Sequence, residues 1–229
     1  MQALVSGANR GLGFEMTRQL LARGDRVVAG CRQPGKALAL TRLAGEHPGR
    51  LHVLPLDVAD PRTIAELSRE VGALDLDIGL LVNNAGVLVE HERFGAIEPK
   101  SLRDSFAVNA EGAFLLTQAL NPHLADEAKV VNISSGLGSI ASTTSLYSPS
   151  YAMSKAALNM ATRLLSIALA ERGIVVVSMS PGWVKTDMGG AGATLTPETS
   201  IASMLRVIDH LKRSDSGRFL SQNGETIPW

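Results

Sequence analysis

The side chains best suited to chemistry are those of Tyr151 and Lys155, which are four positions apart in the sequence. On a helix, residues at that spacing share one face, so the ammonium group lies near the phenol. A nearby positive charge favours the phenolate, and lowering a tyrosine pKa from about 10 to about 7 requires roughly 4 kcal/mol. Such a tyrosine transfers a proton at neutral pH. The same spacing is common on protein surfaces, so its meaning depends on what the fold places beside it.

The elements that must position this pair alternate between short apolar runs and longer amphipathic stretches. Strands are predicted at residues 3–5, 26–29, 51–55, 79–82, 129–133, 174–178 and 217–220, and helices at 12–22, 36–46, 61–71, 102–120, 151–172 and 200–212. The strands are mostly apolar rather than alternating, which indicates that both faces of the sheet are covered. The pattern predicts an α/β fold, a single-domain Rossmann-type doubly wound parallel sheet with helices on both faces, spanning 1–229.

Three glycines, Gly7, Gly11 and Gly13, lie between the first predicted strand and the first predicted helix. Glycine tolerates positive φ and lets the backbone approach a phosphate closely. The start of the following helix offers free N–H groups and a partial positive charge. The loop therefore predicts a site for the pyrophosphate of a dinucleotide, the alternative being a tight turn that only packs helix against strand.

Two arginines indicate which dinucleotide binds. An NAD site usually has an acidic residue at the end of the second strand, whereas this chain has Arg32 there and Arg10 within the glycine loop. Guanidinium groups match a 2′-phosphate through paired hydrogen bonds. NADP(H) is therefore predicted in preference to NAD(H), unless both arginines are merely solvated surface residues.

Other polar residues follow predicted strands or lie on the next helix. Ser134 and Ser135 end the fifth predicted strand, Asn83 and Asn84 end the fourth, and Asn109 lies on the helix after it. The carboxyl ends of parallel strands meet at one edge of the sheet, where a single crevice can gather all of these groups.

These motifs together resemble the short-chain dehydrogenase/reductase family over essentially the full length of the chain. Residues 6–13 resemble its TGxxxGxG loop, with serine in place of the usual threonine, 56–58 resemble its adenine-contacting segment, 83–86 match NNAG, and 181–186 resemble PGxVxT. Residues 153–160, 181–190 and 227–229 resemble the C-factor-like, carbonyl-reductase-type branch of the family.

The resemblance implies a role for each matched residue. Ser135, Tyr151, Lys155 and Asn109 match the catalytic serine, tyrosine and lysine and the asparagine that holds a water against the lysine. With the arginines added, the predicted cofactor-binding residues are Gly7, Asn9, Arg10, Gly11, Leu12, Gly13, Arg32, Asp57, Val58, Asn83, Ala85, Gly86, Tyr151, Lys155, Pro181, Gly182, Val184 and Thr186. The implied activity is NADP(H)-dependent interconversion of a carbonyl and an alcohol, with Tyr151 as proton donor or acceptor.

Several alternatives stay open at this point. Tyr151 follows Ser135 by 16 residues, slightly more than is common in the family, so Ser134 or Ser139 could take the serine role. Tyr147 is a weaker candidate than Tyr151 because no lysine follows it four residues later. A relative in the same branch is associated with intercellular signalling, so the alternative function is an NADP(H)-binding sensor or signalling protein with little catalysis.

A third option, metal-dependent hydrolysis, rests on His91 between Glu90 and Glu92. The five histidines of the chain are scattered and none has the spacing of a zinc site. We therefore predict no metal and expect a solvated acidic loop in this region.

The composition of the chain limits the kinds of partner that we expect for it. Lysine plus arginine equals aspartate plus glutamate at 22 each, which argues against nucleic-acid binding through a broad basic field. No leader and no apolar run of about 18–20 residues is visible, so we expect a cytoplasmic protein without a membrane partner. The single cysteine, Cys31, excludes an intramolecular disulfide.

Small residues on the long predicted helices, such as Ala156, Ala157 and Ala161, permit close helix packing. They predict a homodimer or homotetramer assembled through helices 102–120 and 151–172, as in the family. The alternative is that these residues pack only within the molecule.

Overall fold

Seven parallel strands form the centre of the protein in a computed structural model that describes all residues from Met1 to Trp229. The strands are β1 (Gln2–Ser6), β2 (Arg26–Cys31), β3 (Leu51–Pro55), β4 (Ile78–Asn83), β5 (Leu124–Ile133), β6 (Val175–Ser180) and β7 (Phe219–Ser221). The helices are α1 (Gly11–Ala22), α2 (Leu38–Glu46), α3 (Pro61–Ala73), α4 (Pro99–Phe106), α5 (Gly112–Leu120), α6 (Pro149–Ala168) and α7 (Pro197–His210).

The strand order is β3-β2-β1-β4-β5-β6-β7, and all neighbours are parallel. The chain builds outward from β1 to β3, returns to the centre, and then builds the other half from β4 to β7. The order therefore reverses between β1 and β4, where an open α/β sheet has its ligand-binding crevice.

Helices cover both faces of this sheet. One face packs a cluster of 25 buried hydrophobic residues under α1, α2 and α7, and the other packs 18 under α3, α5 and α6. Neighbouring residues of one strand serve opposite faces: Leu4 belongs to the second cluster and Val5 to the first. The predicted single-domain, doubly wound parallel sheet is confirmed.

The predicted helix 102–120 differs most from the observed structure. The chain forms α4, then a π-helical segment at Ala107–Glu111, and then α5. A hydrophobic period near 3.6 residues does not distinguish one wider turn inside a helix, and such π segments often occur at functional sites. This one contains Asn109.

None of the helices is both long and apolar enough to span a bilayer.

Candidate active site

The glycine loop brings the ends of β1 and β4 into direct contact. Gly7 has φ +64°, and a Cβ added to it would lie 2.9 Å from the Cα of Ala85. A Cβ on Gly13 would lie 2.3 Å from the Gly7 carbonyl oxygen and 2.4 Å from Asn84 Nδ2. A side chain at Gly7 would push the loop away from the Ala85 backbone, and one at Gly13 would push α1 away from the Gly7 carbonyl group, which explains the need for glycine at both positions.

Ser6 and Asn84 fix that contact with four hydrogen bonds. The Ser6 hydroxyl accepts from the backbone N–H groups of Asn84 and Ala85, both at 3.0 Å. Asn84 Nδ2 donates to the carbonyl oxygens of Ser6 at 2.9 Å and Gly7 at 3.2 Å. Asn84 was not among the predicted cofactor-binding residues, although the NNAG match at 83–86 includes it.

The first turn of α1 faces this loop without a competing cap. No side chain caps the helix, and no acidic residue lies in its first turn. The backbone N–H groups of Gly11, Leu12 and Gly13 have no partner within the helix, as at any helix start. The helix end therefore has the features of an anion site.

The two arginines that were predicted to act together have different surroundings. Arg32, just after β2, is exposed and makes no hydrogen bond or ion pair. Arg10 Nη1 instead donates to Asp187 Oδ2 at 2.8 Å, and both side chains are largely exposed. Arg32 is thus free to bind a ligand, whereas Arg10 has an intramolecular partner in the β6–α7 connection.

That connection also reaches the glycine loop. A Cβ on Gly11 would lie 3.7 Å from Thr186 Cγ2. The Thr186 hydroxyl accepts from the Gly189 N–H at 3.1 Å, and Val184 forms an isolated bridge with Leu195. The predicted residues Pro181, Gly182, Val184 and Thr186 therefore follow β6 at the same sheet edge as the glycine loop.

The other predicted cofactor residues also follow strand ends. Asn9 is exposed in the glycine loop, and Asp57 follows β3, where its Oδ1 accepts from the Ala59 N–H at 3.1 Å. Val58 is buried against α5, since a Cβ on Gly112 would lie 2.6 Å from its carbonyl oxygen. Asn83 Nδ2 donates to Thr117 Oγ1 and Asn132 Oδ1, which ties β4 to α5 and β5.

Tyr151 and Lys155 lie in the first turns of α6, and both are buried, at 8% and 4% exposure. Lys155 Nζ is 5.5 Å from the centre of the tyrosine ring. It donates to the carbonyl oxygen of Ile133, the last residue of β5, at 2.7 Å. The pair therefore faces the sheet at the carboxyl end of β5.

Burial dominates the ionisation of both groups. It lowers the pKa of Lys155 to about 8, since no carboxylate pairs with the ammonium group. It raises the pKa of Tyr151 to about 12, although the Ser135 hydroxyl acts in the opposite direction. In the cofactor-free chain, the cost of removing the phenolate from water exceeds the stabilisation from its neighbours. The expected lowering of the tyrosine pKa counts the lysine together with a cationic nicotinamide ring, so it stays a prediction for the cofactor-bound site.

The three candidate serines are distinguished by their partners. Ser135 is half-buried, its hydroxyl oxygen accepts from the Leu137 N–H at 3.2 Å, and it is the serine whose hydroxyl acts to lower the pKa of Tyr151. Ser134 is buried and donates to Asn159 Oδ1 at 2.7 Å, while Ser139 is buried and donates to the Pro228 carbonyl oxygen at 2.6 Å.

The alternative tyrosine is placed differently. Tyr147 is 61% exposed in the enlarged connection before α6. That connection is held from the far end of the chain, where the Trp229 carbonyl oxygen accepts from the Ala141 N–H at 2.8 Å. Tyr147 is therefore outside the buried site.

Asn109 lies beside the lysine but is held by other groups. Its Oδ1 accepts from the Val87 N–H at 2.8 Å, and its Nδ2 donates to the Val87 carbonyl oxygen and to Ser154 Oγ, both at 2.9 Å. A Cβ on Gly86 would lie 3.3 Å from Asn109 Oδ1 and 3.7 Å from Lys155 Nζ. Because Gly86 has no side chain, Asn109 Oδ1 and Lys155 Nζ both border the small space beside it.

Glu92 departs from the expected solvated acidic loop. It is partly buried, and its carboxylate accepts hydrogen bonds from Ser150, directly before Tyr151. No group of three or more histidine, cysteine, aspartate or glutamate side chains has an arrangement that could hold a metal ion. No sequence pattern marks this contact, because it joins residues 58 positions apart.

The fold and the site together define an open α/β protein with a glycine cradle for an anionic ligand beside a buried tyrosine–lysine pair. The sequence model of the short chain dehydrogenase family matches residues 1–194. The chain belongs to that family.

Individual relatives agree with this assignment. The C-signal protein of Myxococcus xanthus is 42% identical over 154 residues, which are 66% of this chain and 93% of that protein. The carbonyl reductase Sniffer of D. melanogaster has a TM-score of 0.96 at 32% identity, covering 100% of this chain and 99% of its own. The NADPH-bound carbonyl reductase from chicken fatty liver has a TM-score of 0.94 at 37% identity, covering 100% and 98%.

Proposed function

We propose that this protein is an NADP(H)-dependent oxidoreductase that interconverts a carbonyl and an alcohol, with Tyr151 as proton donor or acceptor. The observation that carries the proposal is the buried pair Tyr151–Lys155, with Lys155 Nζ 5.5 Å from the centre of the tyrosine ring, at the sheet edge that holds the glycine cradle. The similarity to carbonyl reductases, one of them solved with NADPH, supports it.

The cradle fits a dinucleotide. Gly7 and Gly13 leave room where a Cβ would collide with backbone, α1 presents an uncapped N-terminus, and Arg32 is an exposed guanidinium without a partner. These groups would hold the pyrophosphate and the 2′-phosphate, with the remaining predicted cofactor residues at the ends of β3, β4 and β6. When bound, NADP(H) supplies or accepts the hydride. We assign the whole chain, 1–229, to a single NADP-binding domain of this family.

The chain's own residues handle the substrate oxygen and its proton. Ser135 donates a hydrogen bond to that oxygen, and Tyr151, kept protonated at neutral pH by burial, donates the proton in the direction of carbonyl reduction. Lys155 places a positive charge beside the phenol and stabilises the phenolate that remains. Asn109, next to Lys155 across Gly86, positions a water through which the site is reprotonated.

A screen of NADPH oxidation tests this function. Purified protein, mixed with NADPH and panels of aldehydes, ketones and quinones, is expected to lower the absorbance of NADPH with at least one substrate class. Bound NADPH without turnover on any carbonyl, and no NADP⁺ reduction with the matching alcohols, would contradict the proposal.

The second candidate is a sensor or signalling protein that binds NADP(H) with little catalysis. The similarity to the C-signal protein favours this reading. The presence of Ser135, Tyr151, Lys155 and Asn109 in one buried site favours catalysis instead, because a sensor needs only the cofactor cradle.

Replacing Arg32 with serine is expected to raise the KM for NADPH between about tenfold and a hundredfold and leave the KM for NADH nearly unchanged. The reason is the loss of a charge-assisted hydrogen bond to the 2′-phosphate, which is worth about 1.5–3 kcal/mol. Initial rates with both cofactors measure the change. Arg69→Ser on α3, also exposed and unpaired, is the matched control. Equal changes for the two cofactors would remove Arg32 from the 2′-phosphate site.

We further propose a homodimer or homotetramer assembled through α6. Met153, Met160, Leu164 and Ile167 form an exposed apolar face on that helix, each at least 52% exposed. Ala161, one of the small residues expected at an interface, is instead buried within the molecule. A monomeric mass by light scattering would contradict the assembly. The cytoplasmic location and the absence of nucleic-acid and membrane partners stay predictions.

A further inference from the structure

Helix α6, which carries Tyr151 and Lys155, begins without a cap of its own. Its N-cap residue, Ser148, makes no side-chain hydrogen bond to the first turn, and Pro149 follows it. Ser150 is then the first residue of the helix with an N–H group, and it is fully buried. A buried N–H at a helix start requires a partner from elsewhere in the chain.

Glu92 is that partner. Its Oε2 accepts from the Ser150 N–H at 3.0 Å, and its Oε1 accepts from the Ser150 hydroxyl. Glu92 belongs to the long connection between β4 and α4, 58 positions earlier in the chain. A carboxylate at a helix N-terminus is favoured both by the charge-assisted hydrogen bonds and by the positive end of the helix dipole.

The backbone is held in an unfavourable conformation on both sides of this contact. His91, directly before Glu92, has φ +60°, and Ser148, two residues before Ser150, has φ +42°. Residues other than glycine rarely adopt this region. Such conformations persist where surrounding contacts enforce them, and they are concentrated at functional sites.

The contact closes a ring of hydrogen bonds around the reacting groups. The β4–α4 connection contacts α6 through Glu92 and Ser150. The same connection contacts the π segment through Val87 and Asn109. Asn109 donates to Ser154 Oγ, and Ser154 Oγ donates to the Tyr151 carbonyl oxygen at 2.7 Å. The connection therefore fixes Asn109 and the start of α6 relative to each other.

We propose that Glu92 is a positioning residue for the reaction, because it caps α6 from the β4–α4 connection and so fixes Tyr151 relative to Asn109. This inference rests on the proposed function. Glu92 does not touch the reacting atoms; it acts through Ser150, the neighbour of Tyr151. A displacement of about 1 Å of a reacting group can lower a rate about a hundredfold.

Four proteins test the proposal: wild type, Glu92→Ala, Glu92→Gln and Glu90→Ala. Glu92→Ala is expected to lower kcat for carbonyl reduction between about tenfold and a hundredfold, with the dissociation constant for NADPH changed by less than about twofold. Glu92→Gln keeps an oxygen acceptor for the Ser150 N–H and is expected to retain kcat within about threefold. Glu90 is 60% exposed in the same connection, so Glu90→Ala is the matched control.

A second readout does not depend on activity. Arg93, next to Glu92, is exposed, so trypsin can cleave after it when the connection opens. Cleavage at Arg93 is expected to be faster in Glu92→Ala than in the other three proteins. If the wild type consumes no NADPH with any carbonyl, the proposed function fails, while the trypsin experiment still decides whether Glu92 holds the connection.

Three results would overturn the proposal: wild-type kcat in Glu92→Ala, an equal loss of kcat in Glu92→Ala and Glu92→Gln, or wild-type cleavage at Arg93 in Glu92→Ala. If Glu92→Ala does not fold, Glu92→Asp replaces it. Aspartate keeps the charge but is one methylene shorter, so it is expected to show a smaller loss of kcat and faster cleavage, and wild-type values for both would equally overturn the proposal.

Discussion

Replacing Tyr151 with phenylalanine is expected to lower kcat for carbonyl reduction by about 10²–10⁴-fold, the usual contribution of a positioned proton donor. The dissociation constant for NADPH is expected to change by less than about threefold. The ring of Tyr151 is buried, so phenylalanine keeps the packing and removes only the hydroxyl group. Initial rates at saturating NADPH, with cofactor binding followed by fluorescence, separate the two effects.

The chain offers a close control for this experiment. Tyr147 is its only other tyrosine and is 61% exposed. Tyr147→Phe makes the same chemical change outside the buried site and is expected to keep kcat within about twofold. A Tyr151→Phe protein that reduces carbonyls at the wild-type rate would remove Tyr151 from the proton-transfer step.

Replacing Lys155 with methionine is expected to have opposite effects on activity and on stability. Activity falls by orders of magnitude, because the positive charge beside the phenol is lost. The free energy of unfolding of the cofactor-free protein at pH 7 rises by about 2 kcal/mol. Burial lowers the pKa of Lys155 to about 8, so the folded state at pH 7 must hold an ammonium group that water solvates better. Methionine fills a similar volume without that charge.

The pH dependence of stability gives a test that is specific to this lysine. The pKa of Lys155 is lower in the folded protein than the ordinary value of 10.5, so the unfolded chain binds more protons between about pH 8 and pH 10. The Lys155 contribution to stability therefore improves as the pH rises through this window. Above pH 10, the raised pKa of Tyr151 acts in the opposite direction.

Thermal unfolding of wild type and Lys155→Met from pH 7 to pH 10 measures this contribution as a difference. The stability advantage of the variant is expected to be largest at pH 7 and to shrink toward pH 10. A variant that is less stable than wild type at pH 7, with a constant difference across the pH range, would show that burying the Lys155 ammonium group, with its hydrogen bond to the Ile133 carbonyl oxygen, has no net cost. Titrating groups that are common to both proteins cancel in the comparison.

The sequence by itself determined the architecture and most of the motif positions. Apolar runs such as 51–55 and 79–82 predict strands because a doubly covered parallel sheet needs them. Short crossovers of fixed hand then leave few possible strand orders. The role of Gly7 and Gly13 in a tight turn was also predictable, since a strand, a glycine loop and a helix in that order constrain the backbone locally. Tyr151 and Lys155 were predicted to share one helix face because residues four positions apart are about one helical turn apart.

The tertiary structure decided which of these residues act together and how they ionise. The sequence left three candidates for the catalytic serine, and only their surroundings in the folded chain distinguish Ser135 from Ser134 and Ser139. The raised pKa of Tyr151 in the cofactor-free chain was not predictable from the sequence, because it depends on how much water every neighbouring element excludes. Glu92 gave no signal because its contact with Ser150 joins distant parts of the chain. Helical and strand periods express local geometry, whereas burial and long-range hydrogen bonds arise only once the elements have packed.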